Sequence, residues 1–551
     1  MTRFANLRLF MAAALSGAAA VALAGCDADE MLTEKPPHII VADNLLTDLA
    51  GFDAALNAQY AQARREKQGH SGLNDLVAIP MTVGVDNAYA NYSAAELRFV
   101  NQWTNFSTPQ TSVFENLWLW LYQMINASNM IINRAENPDI RWTEADKARV
   151  LGEAHFFRAW AYRHLTYLFG PVPLNLEESS GSTIKTDWER TPVADIRKQM
   201  EADLLLAEEN LPATSSNAGK LTKAVAQHYL AELYLAMNDP VKAEAKAQAV
   251  VSSGLYKLIT ARYGVRATQP GVPFMDQFVD GNINRNQGNT EVLWAFQFAQ
   301  DVTGGGSNLL RRYWVNRYNS IPVPVGTRTV TGAIAISAEY GGRGIGRLSP
   351  TAWAINLYEP SDDRGSHHAI RKFYTVNNPI NGAVLGDTVK LVWTAEKWIT
   401  SSLASNDPLW PSTRKWDWTD ATSPERDEQF SDVPYLRYAE TLLLLAEAQM
   451  KNGKLAEAAA TINQLRDRAH ATPITAAQVT LDFILDERSR ELLTEEHRRY
   501  TLLRTGKFYE RTMAYNPIAA RYLAQRDTIY PIPQVVIDAN LGRAMPQNPG
   551  F

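Results

Sequence analysis

The chain has 551 residues, enough for two or three domains or for one large elaborated domain with an ample core. Its formal charge of −5 excludes a general attraction to nucleic acid, and its hydrophobic fraction of 46% is typical of a soluble globular protein. With a single cysteine, Cys26, the chain cannot form an internal disulfide bond.

The N-terminus has the pattern of a lipoprotein export signal. Arg3 and Arg8 precede an apolar run at 9–24, and small residues lead up to Cys26. This order is typical of a secretory signal with its cleavage site. We therefore predict a signal peptide over 1–25 and lipidation of Cys26. A plain signal peptide and an uncleaved anchor are the alternatives, although the run is short for a bilayer span.

Helical patterns dominate the next part of the chain. After an acidic tether and extended leash at 26–44, apolar residues recur at helical spacing within 45–65 and 114–136. The stretch 152–174 mixes small and aromatic residues and ends sharply at Gly170-Pro171. Such a helix must be buried on more than one side, which predicts a helical array.

An internal repeat supports this prediction. LAELYLAMNDPVKAEA begins at Leu230, and LAEAQMKNGKLAEAAA begins 215 positions later at Leu445. Each reads as a helix, a turn and a second helix with small residues, which is the tetratricopeptide pattern. Any alanine-rich pair of amphipathic helices could match as well. We predict an N-terminal helical part at 45–260 and a C-terminal helical part at 430–551.

Between the two repeats lies a stretch of different composition, 261–429. It contains eight of the fourteen tryptophans and many loop residues, with short strands predicted near 291–298 and 388–394. We predict a large, irregular, loop-rich insertion in an otherwise all-α fold.

Motifs along the chain resemble those of the SusD/RagB family of surface lipoproteins, and the resemblance covers nearly all of the sequence after the signal. The motifs are GEA at 152–154 with RA at 158–159, GPVPL at 170–174, DVPYLRYAE at 432–440, Ile462-Asn463 with Arg466 and Arg468-Ala469, Glu487-Arg488 with Glu491-Leu492, EHRR at 496–499, YPIP at 530–533 and QNPGF at 547–551. Thr501 departs from the pattern, because family members commonly carry an acidic residue there.

The resemblance implies a fold and a role. The fold is a tetratricopeptide-like scaffold with a ligand-binding insertion. The role is capture of oligosaccharides, or of peptides in some members, for a SusC-like TonB-dependent transporter of the outer membrane. It also implies a lipid-anchored, surface-exposed protein without cofactors or catalysis. The acidic tetrad at 27–30 resembles a surface-export signal of Bacteroidetes lipoproteins, although a solvated tether would look the same.

Two loops have the chemistry of sugar binding, in which aromatic rings pack on pyranose faces and polar groups hold hydroxyls. They lie at 86–103 and 311–318, the general regions that form the ligand face in the family. Predicted stacking residues are Trp103, Tyr313 and Trp314. Predicted polar contacts are Asp86, Asn87, Arg311, Asn316 and Tyr318. For each aromatic residue, packing of the loop onto the helices is the alternative.

No catalytic or metal site is predicted. Acids and bases within the motifs, such as Glu153, Arg158, Glu487 and Arg488, suit inter-helix ion pairs better than a catalytic carboxylate pair. The nine histidines show no metal-binding spacing. A surface glycosidase and a tetratricopeptide scaffold that binds only proteins remain as alternative functions.

Overall fold

The structure is a computed structural model that describes residues 42–68, 79–90, 107–391 and 409–551. The predicted signal peptide, Cys26 and most of the tether therefore lie outside the described residues. The chain divides into two units at Thr47 and Asp48. Of the first unit, the structure describes one short helix, α1 (Ala42–Leu45).

The second unit, Asp48–Phe551, is mainly helical, as predicted. Its first helices are α2 (Leu49–Gln68), α3 (Ile79–Thr82), α4 (Ser112–Arg134), α5 (Glu144–Phe169), α6 (Val193–Asn210), α7 (Lys223–Ala236) and α8 (Pro240–Ser252). Short helices follow in the predicted insertion, α9 (Pro273–Asp276), α10 (Leu310–Trp314) and α11 (Ala352–Asn356). The last helices are α12 (Tyr438–Lys451), α13 (Leu455–Arg468), α14 (Leu481–Leu492), α15 (Arg498–Arg504), α16 (Phe508–Tyr515), α17 (Pro517–Ala520) and α18 (Gln534–Ala539).

Helix α5 is the buried centre of the helical part. Thr143 caps its N-terminus by accepting a hydrogen bond from the Asp146 N–H, and Gly170 ends it with a φ of 71°. Helices α4 and α6 pack on either side of it. A Cβ atom at Gly152 would lie 3.0 Å from Cβ of Asn210, which shows how closely α6 approaches. The predicted burial on more than one side is confirmed.

The two repeats stack directly on each other. Helix α8 packs against α12, although the two are far apart in sequence. Asn238 (φ 59°) and Gly453 (φ 77°) occupy matching turn positions in the left-handed region. The side-chain amide of Asn452 donates to the Pro240 carbonyl (3.1 Å), which ties one turn to the other. The tetratricopeptide-like prediction is confirmed.

The strands are short and pair two by two, each pair antiparallel. The pairs are β1 (Ala88–Ala90) with β5 (Leu348–Pro350), β2 (Val292–Phe296) with β10 (Val433–Arg437), β3 (Val323–Val325) with β4 (Arg328–Val330), β6 (Ile370–Arg371) with β9 (Ser412–Thr413), and β7 (Phe373–Thr375) with β8 (Thr388–Lys390). Strands β2 and β8 lie in the stretches predicted as strands. The buried pair β2–β10 connects 261–429 to the start of α12.

The charged motif residues form buried ion pairs between elements, as predicted. Arg158 of α5 binds Asp203 of α6 (2.6 Å). Glu491 of α14 accepts from Arg437, Arg468 and Arg364 at 2.6–3.1 Å. Since each group is buried with its partners, these networks fix the register of the helices.

Candidate functional site

Seven of the eight predicted ligand-binding residues lie inside the protein. They are Asp86, Asn87, Arg311, Tyr313, Trp314, Asn316 and Tyr318, and none is more than 4% exposed. Ligand contact needs an open face, so this burial is at odds with the contact roles predicted for them. The eighth residue, Trp103, lies outside the described residues, and its role stays a prediction.

Asp86 joins the N-terminal part of the chain to the last helices. Its carboxylate accepts hydrogen bonds from Arg498 (2.7 and 2.8 Å) and Arg511 (2.9 Å). Burial alone would raise the pKa of Asp86, but the two guanidinium groups hold it below its ordinary value. The side-chain amide of the next residue, Asn87, donates to the Ser489 hydroxyl (3.2 Å). Both side chains therefore hold the fold together.

The aromatic residues near 313–318 fill two cores. Tyr313 and Trp314 belong to the main hydrophobic core. Tyr318 stacks on Tyr374 (5.0 Å between ring centroids) in a smaller core within 315–391. The Tyr374 hydroxyl in turn donates to the side-chain carbonyl of Asn316 (2.6 Å). Tyrosine and tryptophan suit core filling as well as ligand stacking, so composition did not distinguish the two.

Arg311 supports a loop that reaches the surface. Its guanidinium donates to the backbone carbonyl of Trp418 (3.1 Å), and the side-chain amide of Gln429 donates to the same carbonyl (2.9 Å). Gly341 lies directly behind this loop, where a Cβ atom would come within 2.6 Å of the Asp417 Cα. These contacts hold the half-buried Trp418 at one wall of a pocket.

This pocket, which we call the insertion pocket, has a volume of about 370 Å³. That size falls within the roughly 300–1,000 Å³ typical of small-molecule sites. All its lining residues belong to the predicted insertion. They are Arg262, Arg266, Gln269, Pro270, Gly271, Val272, Met275, Asp276, Phe278, Val279, Asp280, Ala338, Glu339, His368, Arg414, Asp417 and Trp418.

Two carboxylates of the insertion pocket are already engaged by arginines. Asp276 accepts from the Arg262 Nε (2.7 Å) and from the Tyr263 N–H (2.9 Å). Asp417 accepts from the Arg414 Nε (2.9 Å) and also from Arg371. These pairs stiffen the walls, which is what a preorganised binding site requires.

Other side chains of the insertion pocket remain available. Within the described part of the chain, the side chains of Arg266, Glu339 and His368 make no hydrogen bond. The pKa of His368 is lowered by burial and by the charges of Arg414 and Arg262, so its ring is neutral at pH 7. An aromatic wall with donors and acceptors around it matches a sugar, which has apolar ring faces and polar edges.

Two other cavities of the described residues are larger, about 480 and 620 Å³, but they are shallower and more open to solvent than the insertion pocket. A cavity between α5, α6 and α7 measures only about 20 Å³, enough for a water molecule. Across the described ranges, no group of three histidine, cysteine or acidic residues is placed to hold a metal ion. In the same ranges no helix is long and apolar enough to cross a membrane. Sequence reasoning did not single out Trp418, although the tryptophan-rich composition of 261–429 pointed to its region.

Comparison with known proteins gives consistent family matches. The family model described as "SusD family" matches residues 290–551, and one described as "Starch-binding associating with outer membrane" matches residues 41–235. SusD-like protein P2 of Formosa agariphila is 26% identical over 548 residues, covering 96% of this chain and 97% of that protein. The starch-binding protein SusD of Bacteroides thetaiotaomicron is 24% identical over 495 residues, covering 82% of this chain and 81% of that protein.

Solved structures share the fold. A laminarin-binding SusD-like protein matches with a TM-score of 0.66 at 21% identity, over 91% of this chain and 99% of that chain. NanU of B. fragilis matches with a TM-score of 0.70 at 19% identity, over 94% of this chain and 99% of that chain. At these identities the likeness carries the fold alone.

Proposed function

This chain belongs to the SusD/RagB family, and we propose that it is a surface lipoprotein that binds oligosaccharides and delivers them to a SusC-like TonB-dependent transporter. The observation that carries the binding proposal is the insertion pocket, with Trp418 on one wall. A pyranose ring stacked on this indole would place its hydroxyls near Arg266, Asp280 and Glu339. Names of the relatives that mention starch and laminarin support a carbohydrate ligand.

Binding of a sugar at the insertion pocket requires little ordering of the protein. The Trp418 backbone is held by Arg311 and Gln429, so little freedom is lost when a sugar stacks on it. Sugar hydroxyls both donate and accept, which suits the mixture of carboxylates and guanidinium groups around the indole. The stacked ring would exclude water and strengthen these polar contacts.

The test is native affinity electrophoresis of the protein, without residues 1–26, in gels that contain soluble polysaccharides or a casein digest. Trp418→Ala would be compared with Trp188→Ala, in which another half-buried tryptophan outside the pocket is truncated. We expect one polysaccharide to retard the wild type and Trp188→Ala but not Trp418→Ala. Far-ultraviolet circular dichroism would verify that each variant is folded.

Other outcomes of this test would change the proposal. Retardation that survives in Trp418→Ala but is lost in Trp103→Ala would move the site to the sequence-predicted loop at 86–103. Retardation only in the casein gel would favour the peptide-binding alternative. Unchanged mobility in every gel would contradict ligand capture.

We also propose that the protein binds sugars without cleaving them. The names of the relatives describe binding of starch and of laminarin, which supports binding without cleavage. Asp276 and Asp417 are each bound by arginine, so a glycosidase would have to use Asp280 and Glu339 at the rim as its pair of carboxyl groups. Incubation of the pure protein with each retarding polysaccharide should release no new reducing ends. Release of reducing ends would favour the glycosidase alternative.

The surface location rests on the N-terminal sequence. A lipid on Cys26 would hold the protein in the outer membrane, and the acidic residues at 27–30 would direct it to the surface. We expect Cys26→Ser to move the protein from the membrane fraction to the soluble fraction. We expect the lipidated wild type to be degraded by protease added to intact cells and to co-purify with a TonB-dependent transporter.

A further inference from the structure

We propose that the insertion pocket selects acidic sugars, in which the ring carries a carboxylate or sulfate, over neutral sugars. This inference rests on the proposed binding of glycans at that pocket. It is carried by the way positive and negative side chains are distributed between the pocket's interior and its rim.

In the interior of the pocket, both carboxylates are already paired with arginines of the protein. Asp276 is bound by Arg262, and Asp417 is shared between Arg414 and Arg371. Three arginines thus surround two carboxylates. The Nη groups of Arg262 are occupied by the carbonyls of Arg266 and Gln269 (both 2.6 Å). Arg414 is different, because among the described residues its Nη2 has no partner while its Nη1 donates only to the His367 carbonyl (3.3 Å).

Some side chains that line the pocket make no hydrogen bond within the described residues. Those of them that are half-buried are cationic or neutral. Arg266 is half-buried, and its guanidinium makes neither a hydrogen bond nor an ion pair within the described chain. The carboxylates without an arginine partner, Asp280 and Glu339, are exposed at the rim. Asp280 also interacts with the Trp418 indole and feels the charge of Arg266. The pocket therefore has an electropositive interior and an acidic edge.

The pKa of the neighbouring His367 is consistent with positive charge beside the pocket. The pKa of His367 is lowered to about 3 by burial and by the charges of Arg371 and Arg414. The pKa of Arg414 is lowered by burial, while the charge of Asp417 raises it and the charge of Arg371 lowers it. Arginines that keep donors without partners among the described residues, such as Arg414 and Arg266, are suited to bind an anionic group of a ligand.

These positions define how an acidic sugar would bind. Its ring would stack on Trp418, and its anionic group would point inward to Arg414 and Arg266. Its hydroxyls would donate to Asp280 and Glu339 at the rim. A neutral sugar would keep the stacking and the rim contacts but would leave the inner guanidinium groups without an anion, so it would bind more weakly.

The experiment compares glycans that differ only in charge. Calorimetric titrations would use polygalacturonate and its methyl ester, chondroitin sulfate and desulfated chondroitin, and the carboxyl-reduced form of each, at low and high NaCl. We expect an acidic member to bind about tenfold or more tightly than its uncharged counterpart, with the difference shrinking at high salt. The carboxylate and sulfate members identify which anion is preferred.

Two variants connect that difference to the pocket. Arg266→Gln should lower affinity for the acidic member about tenfold, because it removes a cation near the anionic group, and should lower affinity for the neutral member by a clearly smaller factor. Arg343→Gln is the matched control, because Arg343 is half-buried like Arg266 but lies near Asp427 and does not line the pocket, and it should change neither affinity.

The outcomes separate this inference from the proposed function. Equal affinity for charged and uncharged members, with Trp418→Ala abolishing both, would overturn the selectivity and support glycan binding. Equal losses for both members in Arg266→Gln would also overturn it. Failure of every glycan to bind would contradict the proposed function itself.

Discussion

At the scale of single residues, Asp86 is the point where arginines from two C-terminal helices converge. Arg498 of α15 and Arg511 of α16 both bind its carboxylate, and all three side chains are buried. Arg511 also binds Asp482 and Asp486. One acid thus fixes the C-terminal helices to the strand region at 88–90.

We predict that Asp86→Asn destabilises the protein by about 3–5 kcal/mol, because it leaves two buried guanidinium groups without their shared anion. Urea unfolding followed by circular dichroism would measure the change. Asp53→Asn is the control, since Asp53 pairs with Arg149 in a partly exposed position and should cost less than about 1 kcal/mol. A loss of similar size in the two variants would contradict the structural role of Asp86.

At the scale of elements, His228 connects the two repeats. Its Nδ1 lies 2.9 Å from the Thr441 hydroxyl, so it bridges α7 and α12. Burial is the main reason why the pKa of His228 is lowered to about 3. In the unfolded chain the same imidazole would titrate near pH 6.5.

We predict that the free energy of unfolding falls as the pH is lowered from 6.5 to 4.5. In that window the unfolded state binds a proton on His228 that the folded state excludes, and this costs about 1.4 kcal/mol per pH unit. Urea titrations at several pH values should show a slope smaller by about one proton in His228→Gln. An unchanged slope in His228→Gln would contradict this prediction.

The turn at Gly341-Gly342 supports the segment that carries Trp418. Both glycines have φ near 80°, and both lie against the 417–419 segment that carries Trp418. We predict that Gly341→Ala lowers glycan affinity, because its Cβ would push the Asp417 backbone and displace the indole. Gly386→Ala has the same left-handed strain, about 1–2 kcal/mol, but no atom within 4 Å, and should keep normal affinity. Electrophoresis of both variants tests this, and equal affinities would contradict it.

At the scale of the whole molecule, one network joins the predicted insertion to the helical scaffold. Arg364 binds Glu487 (2.7 Å) and Glu491 (3.1 Å) of α14, and Lys415 binds Glu495. Glu491 also binds Arg468 of α13 and Arg437 of β10. The loops around the insertion pocket are therefore attached to the scaffold by buried charges.

We predict that Glu491→Gln raises amide hydrogen exchange both in 362–376 and in α14, because the loss of one charge leaves three arginines undercompensated. Exchange followed by mass spectrometry would measure it by segment. Glu510→Gln is the control, since Glu510 is exposed and pairs with Lys507 on the same helix turn. Faster exchange confined to α14 would mean that the insertion is held independently of this network.

The helices could be predicted from the sequence more readily than the residues of the candidate binding site. The periodicity of α5 and the matching turns at Asn238 and Gly453 are local features, so a single sequence carries them. The site depends on distant partners: Arg311 meets Trp418, and Asp86 meets Arg498, across long stretches of chain. The residues next to Trp314 and Trp418 in the sequence do not indicate which of the two tryptophans is buried in the core. Contacts with residues far away in the sequence decide it.

The stacking of α8 on α12 also has a consequence for biosynthesis. A ribosome adding about 5–20 residues per second needs roughly 10 to 40 s to make the 215 residues that separate the two repeats. Throughout that interval α8 lacks α12, the helix that packs against it in the folded protein, although α6 and α7 are already available to pack together. A high share of such distant contacts slows folding. The contact between α8 and α12 can therefore form only after residues 438–451 have been synthesised, so this part of the scaffold is completed late.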